Sequence, residues 1–478
     1  MNEMLTVLPE ATLTALACLV LIIDVFRRAD AVNTTFWAAV FSVLLVLSQV
    51  ALYFPEEGAV AFAGTFVLDP MAAVLKSFML VVMVLSFFYA RDYFQRRGST
   101  QTEFYILALF AGIGMMVLIS AHNLLTVYLG LELLSLSLYA MVAMSRDSVE
   151  ASEAAMKYFI LGALASGMLL YGMSMLYGVS GTLDLGELAV AVGDDSRHLL
   201  FTFGLVFVLI GIAFKLGVAP FHMWVPDVYQ GAPTPVTLFL GSAPKLAAFA
   251  MAIRVLADGL GPLSGEWQTM LVLLAILSMA IGNLVAIAQT NIKRMLAYST
   301  ISHMGFLLLG VIAANAIGYA AAMFYVIVYA IMSMGAFGAI ILLSGPGREA
   351  DRLQDFAGLA RRNPWIGFLM MVLMFSLAGV PPFAGFWAKW FVLKEVIAGG
   401  DAWLAAVAVV FSIIGAFYYL RVVKLMYFDE PDAASVPVDA GEDARFVFSV
   451  NGIAVLALGL LPGMLMSVCL AAMLVSGA

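Results

Sequence analysis

Long apolar runs dominate the sequence, and their lengths predict helices that cross a membrane. A helix needs about 20 apolar residues to span the hydrocarbon core of a bilayer. We predict about fourteen such spans, numbered 1 to 14, at 4–26, 34–54, 70–90, 103–120, 122–144, 154–178, 199–225, 233–257, 267–289, 295–315, 318–343, 365–398, 403–427 and 447–475. The short alternating segments of a membrane β-barrel are not found in the sequence. The predicted fold class is therefore an all-α polytopic membrane protein.

Two of the apolar runs are interrupted, and the interruptions match each other. Span 7 contains the string GVAPF at 217–221, and span 12 contains GVPPF at 379–383, an offset of 379 − 217 = 162. A second match joins AAMKYFI at 154–160 in span 6 to AAMFYVI at 321–327 in span 11, an offset of 321 − 154 = 167. We predict that spans 7 and 12 are discontinuous helices and that spans 4–8 repeat as spans 9–13. Five spans is an odd number, so the second copy is expected to be inverted in the membrane.

The repeat divides the chain into four predicted units. These are three N-terminal spans at 1–98, a first five-helix repeat at 99–260, a second inverted repeat at 261–428, and a loop with the last span at 429–478.

Basic residues in the loops predict the orientation of the chain, since Lys and Arg concentrate on the cytoplasmic side. With the N-terminus outside, fifteen of them fall on the cytoplasmic face: Arg27, Arg28, Arg91, Arg96, Arg97, Arg146, Lys293, Arg294, Arg348, Arg352, Arg361, Arg362, Arg421, Lys424 and Arg445. Only Arg197, Arg254 and Lys394 fall on the opposite face. We therefore predict both termini on the periplasmic side.

The composition excludes several classes of protein. The chain is 64% hydrophobic and 11% charged, whereas soluble domains are about 25% charged, so a soluble globular enzyme is excluded. The net charge of −8 and the lack of a basic block argue against a nucleic-acid partner. Two cysteines cannot supply four thiolates to an iron–sulfur cluster, and no nucleotide-binding glycine motif follows a predicted strand. We expect no cofactor or metal in this chain.

Five lysines lie within the predicted spans: Lys76, Lys157, Lys215, Lys245 and Lys389. A charged side chain at mid-bilayer costs about 2.5–3.5 kcal/mol even on mild scales. These lysines must therefore face the bundle interior, water or a carboxylate, and Glu132 near the middle of span 5 is the obvious partner.

The five lysines do not all carry the same expectation. We expect Lys76, six residues after Pro70, to reach toward the membrane surface without a functional role. For Lys157, close in sequence to Glu153, an interfacial ion pair and a functional role are equally open. Lys245 follows Pro244, which leaves a carbonyl unpaired one turn earlier that an ammonium or water could bond.

The remaining ionisable groups, Glu132, Lys215, Lys245 and Lys389, are expected to be functional because intramembrane charges are costly. A lysine that gains and loses a proton as a carboxylate approaches or retreats is a proton relay.

Three strings carry a resemblance to a known family: FKLGVAPFHMWVPDVYQGAPTPV, NIKRMLAYSTISHMGF and GVPPFAGFWAKW. They resemble the antiporter-like membrane subunits of proton-pumping NADH:quinone oxidoreductase, respiratory complex I, and the match extends over essentially the whole chain. The sequence is closest to the N type. The L type carries a lateral helix after the fourteen-span core, which we do not expect here, and the M type typically has a glutamate at the position of Lys389.

The resemblance implies roles for particular residues. Glu132 and Lys215 would form the carboxylate–lysine pair of a first half-channel, with Lys157 on the same polar axis. Lys245 would be the central connecting lysine and Lys389 the terminal lysine of a second half-channel. His222 would be a gating or bridging group at the first break, and the case for His303 is weaker.

The resemblance also implies where the chain is located and which subunits it contacts. The chain would be a proton-translocating subunit of an inner-membrane translocase and would pack against other membrane-arm subunits, including other antiporter-like ones, and the lipid bilayer. NADH, FMN, iron–sulfur clusters and quinone would be held elsewhere in the complex.

Two alternatives stay open. A subunit of a multisubunit sodium/proton antiporter shares the same core, and a membrane anchor that conducts nothing would leave the buried lysines unexplained.

Overall fold

The computed structural model describes residues 3–26, 31–98, 101–193, 198–431 and 440–476, and these residues are mostly helical. Their α-helices are α1 (Glu3–Thr6), α2 (Leu8–Phe26), α3 (Ala31–Leu52), α4 (Pro70–Arg96), α5 (Glu103–Ile119), α6 (Leu124–Val142), α7 (Val149–Ser180), α8 (Leu185–Val192), α9 (His198–Leu216), α10 (Trp224–Gly231), α11 (Thr234–Ile253), α12 (Ser264–Ile287), α13 (Ile292–Ile312), α14 (Ala316–Leu343), α15 (Leu359–Arg362), α16 (Pro364–Ala378), α17 (Ala384–Ala398), α18 (Ala402–Tyr427), α19 (Glu442–Leu460) and α20 (Pro462–Ser476). A small antiparallel hairpin, β1 (Ala59–Ala61) and β2 (Phe66–Leu68), joins α3 to α4 and pairs Ala59 with Leu68.

The helices confirm the predicted all-α membrane fold. Twelve helices in the described ranges are long and apolar enough to cross a membrane, and three shorter apolar helices, α5, α16 and α20, accompany them. The count of fourteen crossings stays a prediction. The last predicted span is two helices, because α19 ends before Leu461 and α20 begins at Pro462. Arg27, Arg28 and Arg197, which enter the predicted orientation, lie outside the described residues.

Two helices form the centre of the bundle. The apolar parts of α11 and α14 are completely buried, whereas much of α2, α7 and α18 is exposed at the periphery of the bundle. Central position explains how α11 tolerates Lys245, because its side chain meets other helices instead of lipid.

Both predicted helix breaks are present. The first separates α9 from α10 and the second separates α16 from α17. Each first half ends at a glycine in the left-handed region, Gly217 with φ +79° and Gly379 with φ +86°. Glycine adopts this conformation without the steric cost of a Cβ atom, so the string GV-x-PF ends a helix at the same place in both halves.

Backbone pairs outside the helices support the predicted repeat, which itself stays a prediction. An isolated antiparallel bridge joins Asn123 to Asp184, and another joins Asn291 to Arg352. The second bridge lies 168 residues after the first at both of its ends, since 291 − 123 = 168 and 352 − 184 = 168. The hydrogen bonds around the bridges match as well: the amides at 124 and 292 donate to the carbonyls at 183 and 351, at 2.9 and 2.7 Å.

Candidate functional site

The open end of α9 is bonded by a lysine from another helix. Lys245 of α11 is 1% exposed, and its Nζ donates a hydrogen bond of 2.9 Å to the carbonyl of Leu216, the last residue of α9. The carbonyl ends of a helix carry partial negative charge, so an ammonium is favoured there. The carbonyls that Lys245 bonds thus belong to the broken neighbouring helix, and the carbonyl freed by Pro244 stays a predicted partner for water or an ammonium.

Lys389 occupies the corresponding place at the second break. It is 8% exposed, and its Nζ donates to the carbonyl of Ala378 at 2.9 Å and to Ser412 Oγ at 2.9 Å. Leu216 and Ala378 each directly precede the left-handed glycine of their break. Lys245 and Lys389 are thus geometric counterparts, although only Lys215 and Lys389 flank the two breaks in sequence.

Lys215 and Glu132 are neighbours without being an ion pair. Lys215 Nζ donates to Ser135 Oγ at 2.5 Å, while Glu132 Oε1 accepts a bond of 2.5 Å from Ser166 Oγ. No ion pair within 4 Å joins the two groups in the described structure. The functional pair that the resemblance implies stays a prediction, and in this structure its two members are linked through α6: Glu132 turns toward Ser166 of α7, and Ser135, one turn on, meets the lysine.

A small cavity separates the two lysines of the first half. It has a volume of about 20 Å³ and lies between Lys215 and Lys245, against Tyr158, Trp224 and Leu118. Its wall is mostly apolar, with the two lysines as the charged residues that line it, and a space of this size is large enough for about one water molecule. One water between two amines is a short bridge for a proton.

The second half contains a chain of hydroxyl groups around a buried histidine. His303 of α13 is 3% exposed, and its Nδ1 and Nε2 lie 2.7 Å from the Tyr325 hydroxyl and 3.1 Å from the Tyr419 hydroxyl. The Tyr419 hydroxyl also bonds to Ser299. These tyrosines were missed in the sequence because they sit in apolar helices, where aromatic residues usually fill the core. The spacing of polar residues in YSTISH was the available signal.

Lys157 lies apart from the other lysines. Its Nζ is 2.8 Å from both Glu153 and Asp227, and its side chain is 44% exposed. Arg294 bonds to the other oxygen of Asp227 at 2.7 Å. These residues line an open cavity of about 480 Å³ at the face that carries most loop arginines. Of the two open interpretations of Lys157, the ion pair is the one with a geometric basis.

Glu349 is the carboxylate at the inner wall of the same cavity. It accepts a hydrogen bond of 2.9 Å from the Tyr93 hydroxyl and lies 3.8 Å from Lys293 and 3.4 Å from Arg97. Burial raises the pKa of Glu349, but the charges of Lys293 and Arg97 outweigh it and hold that pKa below its usual value. Glu349 therefore ties the loop after α14 to α4 and α13 as an ionised group.

Of the sequence predictions for His222 and Lys76, only the one for Lys76 is contradicted by the structure. His222 lies in the turn between α9 and α10, and no hydrogen bond joins its ring to the lysines of the described chain, so its role stays a prediction. Lys76 is fully buried with its Nζ 2.5 Å from Glu10 Oε1 of α2. The expectation that Lys76 reaches the membrane surface was wrong, since a carboxylate 66 residues earlier pairs with it inside the bundle.

No group of three or more His, Cys, Asp or Glu side chains in the described ranges is placed to hold a metal ion.

Fold and site together define a class: a polytopic membrane transport protein with ionisable side chains inside the bundle and at two helix breaks. The chain belongs to the NADH:quinone oxidoreductase/Mrp antiporter family, whose sequence model matches residues 121–415. It is 56% identical over 470 residues to NADH-quinone oxidoreductase subunit N of Thiobacillus denitrificans, covering 97% of this chain and 96% of the relative. It is 53% identical over 469 residues to the subunit of the same name from Nitrosomonas europaea, covering 97% and 96%.

Solved structures agree with this assignment. A chain of respiratory complex I from Thermus thermophilus matches with a TM-score of 0.84 and 34% identity, over 97% of this chain and 100% of that one. A chain of the Mrp complex from Dietzia sp. matches with a TM-score of 0.86 over 99% and 97%, and its 23% identity shows a shared fold.

Proposed function

We propose that this chain is a proton-translocating membrane-arm subunit of a bacterial NADH:quinone oxidoreductase, complex I. The observation that carries the proposal is the placement of Lys245 and Lys389, two buried amines that each donate to the carbonyl end of a broken helix. The close relatives named as subunit N of this enzyme support the same conclusion.

The first half of the chain would pass a proton from Glu132 toward Lys245. Ser135 bonds to Lys215, and the small cavity between Lys215 and Lys245 has room for the water that completes this step. A charged Lys245 is stabilised by the end of α9, and that stabilisation disappears when the amine becomes neutral. Movement of the broken helix end would therefore change how firmly Lys245 holds its proton.

The second half would continue through His303 to Lys389. The imidazole accepts or donates a proton at either nitrogen, and each nitrogen already faces a tyrosine hydroxyl. Lys389 of α17, whose amine bonds the carbonyl end of α16, depends on a helix end in the same way as Lys245. We assign the relay to Glu132, Lys157, Lys215, Lys245, Lys389 and His222, together with His303. Lys157 would admit protons at the wide cavity, and His222 would act at the first break.

The redox chemistry would take place in other subunits. NADH, FMN, iron–sulfur clusters and quinone would be bound there, and this chain would use the energy that they release. The face rich in loop arginines would lie in the cytoplasm of a bacterial inner membrane, so both termini would be periplasmic and protons would move outward.

Variants of the relay test the proposal in the intact complex. We expect Lys215→Ala and Glu132→Ala to lower the number of protons translocated per NADH oxidised in membrane vesicles, because each removes a proton-carrying group. Lys394→Ala, which removes a lysine whose side chain is 65% exposed, is the matched control and should pump normally. Assembled complexes in which both relay variants pump like the parent would refute the assignment.

The shared fold with the Mrp complex keeps a sodium/proton antiporter subunit as the second candidate. Purification from native membranes separates the two functions. Co-isolation with flavin and iron–sulfur subunits and quinone-dependent NADH oxidation supports complex I, whereas sodium-driven proton exchange without these partners supports the antiporter.

A further inference from the structure

The hydroxyl groups around His303 form one continuous hydrogen-bonded chain with the imidazole. The Tyr325 hydroxyl lies 2.7 Å from His303 Nδ1, and His303 Nε2 lies 3.1 Å from the hydroxyl of Tyr419. The Tyr419 hydroxyl in turn bonds to Ser299. Each of these residues is at most 3% exposed. A hydroxyl group and a neutral imidazole each have one hydrogen to donate, so the directions of all the bonds in the chain are set together.

The chain can run in two directions, and each direction leaves one hydrogen unused at an end. If Tyr325 donates to His303 and Tyr419 donates to Ser299, the hydrogen of the Ser299 hydroxyl is unused. In the opposite direction the unused hydrogen belongs to Tyr325. Neither end makes a second hydrogen bond with the residues that the structure describes. A buried donor without a partner is costly, so an acceptor at one end selects the direction.

The Ser299 end of the chain borders a small cavity. The volume of this cavity is about 10 Å³, and its wall includes the hydroxyl-bearing residues Ser299, Tyr329 and Ser333 beside the apolar residues Leu296, Phe337 and Leu377. A space of about this size is the smallest that holds one water molecule. The three hydroxyl groups satisfy the second requirement of a buried water, which needs roughly two to four polar partners.

The hydroxyl groups on this wall lack the partners that a water molecule supplies. Ser333 is 4% exposed, and its Oγ makes no hydrogen bond within the described part of the chain. The Tyr329 hydroxyl donates its own hydrogen to Thr300 at 2.7 Å, so its oxygen can still accept one. A water in the cavity would accept hydrogens from Ser299 and Ser333 and donate one to Tyr329. Buried polar groups without a protein partner are normally satisfied by ordered water in this way.

We propose that this cavity binds one water molecule and that the water fixes the direction of the chain; this inference rests on the proposed function. With the hydrogen of Ser299 accepted, His303 carries its own hydrogen on Nε2, and all donors point from Tyr325 toward the water. A proton that arrives at Tyr325 displaces the hydroxyl hydrogen onto Nδ1, and Nε2 passes its hydrogen to Tyr419. Tyr419 and Ser299 each pass one hydrogen on, the last of them to the water. One proton enters and one leaves, and His303 ends with its hydrogen on Nδ1.

The water end of the chain lies at the second helix break. Leu377, which lines the cavity, directly precedes Ala378, whose carbonyl accepts the hydrogen bond of Lys389. A movement of the end of α16 that changes the contact of Lys389 would therefore also change the wall of the water site. Hydration of the cavity and the hold of Lys389 on its proton would respond to the same movement.

Two substitutions of Ser333 separate the water from the serine hydroxyl, measured as the rate of NADH-driven proton translocation per assembled complex in sealed vesicles. Ser333→Val fills the cavity with methyl groups and excludes the water. The two directions then each leave one buried hydroxyl hydrogen unused and become about equally populated, so we expect the rate to fall at least about twofold. Ser333→Ala keeps the space and two hydroxyl partners and should pump at the parental rate. Ser86→Val makes the same change at a buried serine of α4 that bonds its own helix, and should pump normally.

A cryo-EM map of the intact complex that shows ordered water keeps the proposal testable if Ser333→Val does not assemble. We expect water density between Ser299, Tyr329 and Ser333 in the parent, and at the same place in Ser333→Ala. A parent map without this density, or equal rates in Ser333→Val and Ser333→Ala, would overturn the water site. If that result comes together with loss of pumping in Lys389→Ala, only the water site fails. Normal pumping in Lys389→Ala as well would mean that the proposed function itself is wrong.

Discussion

Gly379→Ala tests whether the contact between Lys389 and the end of α16 is needed for pumping. Gly379 has φ +86°, where an L side chain costs roughly 1–2 kcal/mol. A Cβ atom at this position would lie 2.9 Å from Lys389 Cδ and 3.2 Å from its Nζ. The lysine side chain would have to shift away from the new Cβ atom, which weakens its bond to the carbonyl of Ala378. A hydrogen bond that involves a charged group contributes about 1.5–3 kcal/mol, which is the most that this shift can cost.

The chain offers a control that isolates this second effect. Gly181, at the end of α7, has φ +78°, and a Cβ atom there would meet nothing within 4 Å. Gly181→Ala therefore introduces the same backbone strain without moving a lysine. We expect both variants to lower the amount of assembled complex slightly, and Gly379→Ala alone to lower the rate of proton translocation, by about tenfold for each 1.4 kcal/mol added to the barrier for proton transfer.

The assay is proton translocation by inverted membrane vesicles, normalised to NADH oxidation and to the amount of assembled chain. If Gly379→Ala and Gly181→Ala pump equally well after this normalisation, the helix end does not control Lys389. The same result would argue that the end of α9, which Lys245 bonds at Leu216, does not control Lys245 either.

Three further outcomes follow from the same contacts. Ser135→Ala removes the hydroxyl that Lys215 bonds and should slow proton translocation about tenfold, whereas Ser137→Ala, whose hydroxyl bonds only its own helix, should not. The pKa of Glu349 is lowered, so its carboxylate stabilises the fold above the usual carboxyl pKa, and this stability is lost as pH falls through the lowered pKa. Glu349→Gln should therefore weaken thermal stability at neutral pH and remove the loss of stability in acid. Lys76→Met leaves Glu10 charged and unpaired and should cost about 3–5 kcal/mol, measured as lost assembly; adding Glu10→Leu should recover most of it.

Local sequence was sufficient to locate the helix breaks. Glycine and proline within an apolar run end a helix for reasons that concern only neighbouring residues, and both breaks lie where the string GV-x-PF predicts them. The cost of charge in lipid likewise identified Lys215, Lys245 and Lys389 as interior groups without knowledge of their neighbours.

The partners of these groups could not be predicted in the same way. Lys245 bonds a carbonyl 29 residues away, and Lys76 pairs with a carboxylate 66 residues away, both set by how distant helices pack. Arg254 looked like a loop residue because α11 ends close to it, yet the π-helical turn returns it to the interior. The tyrosines around His303 were hidden because an aromatic ring in an apolar helix gives no sign of where its hydroxyl points.

The two predicted repeats carry different titratable groups at the positions that the repeat would pair. At the offset of 168 that relates the two backbone bridges, Thr300 stands where the first half has Glu132, and His303 stands where it has Ser135. A carboxylate with a lysine and an imidazole among hydroxyls hold a proton with different strength and respond differently to a nearby charge. Divergence of the titratable groups would therefore give the two halves different affinities for a proton, so each half would respond differently when a helix end moves at its break. The direction of net transport would be set by the energy released in the redox subunits, to which these two affinities would couple.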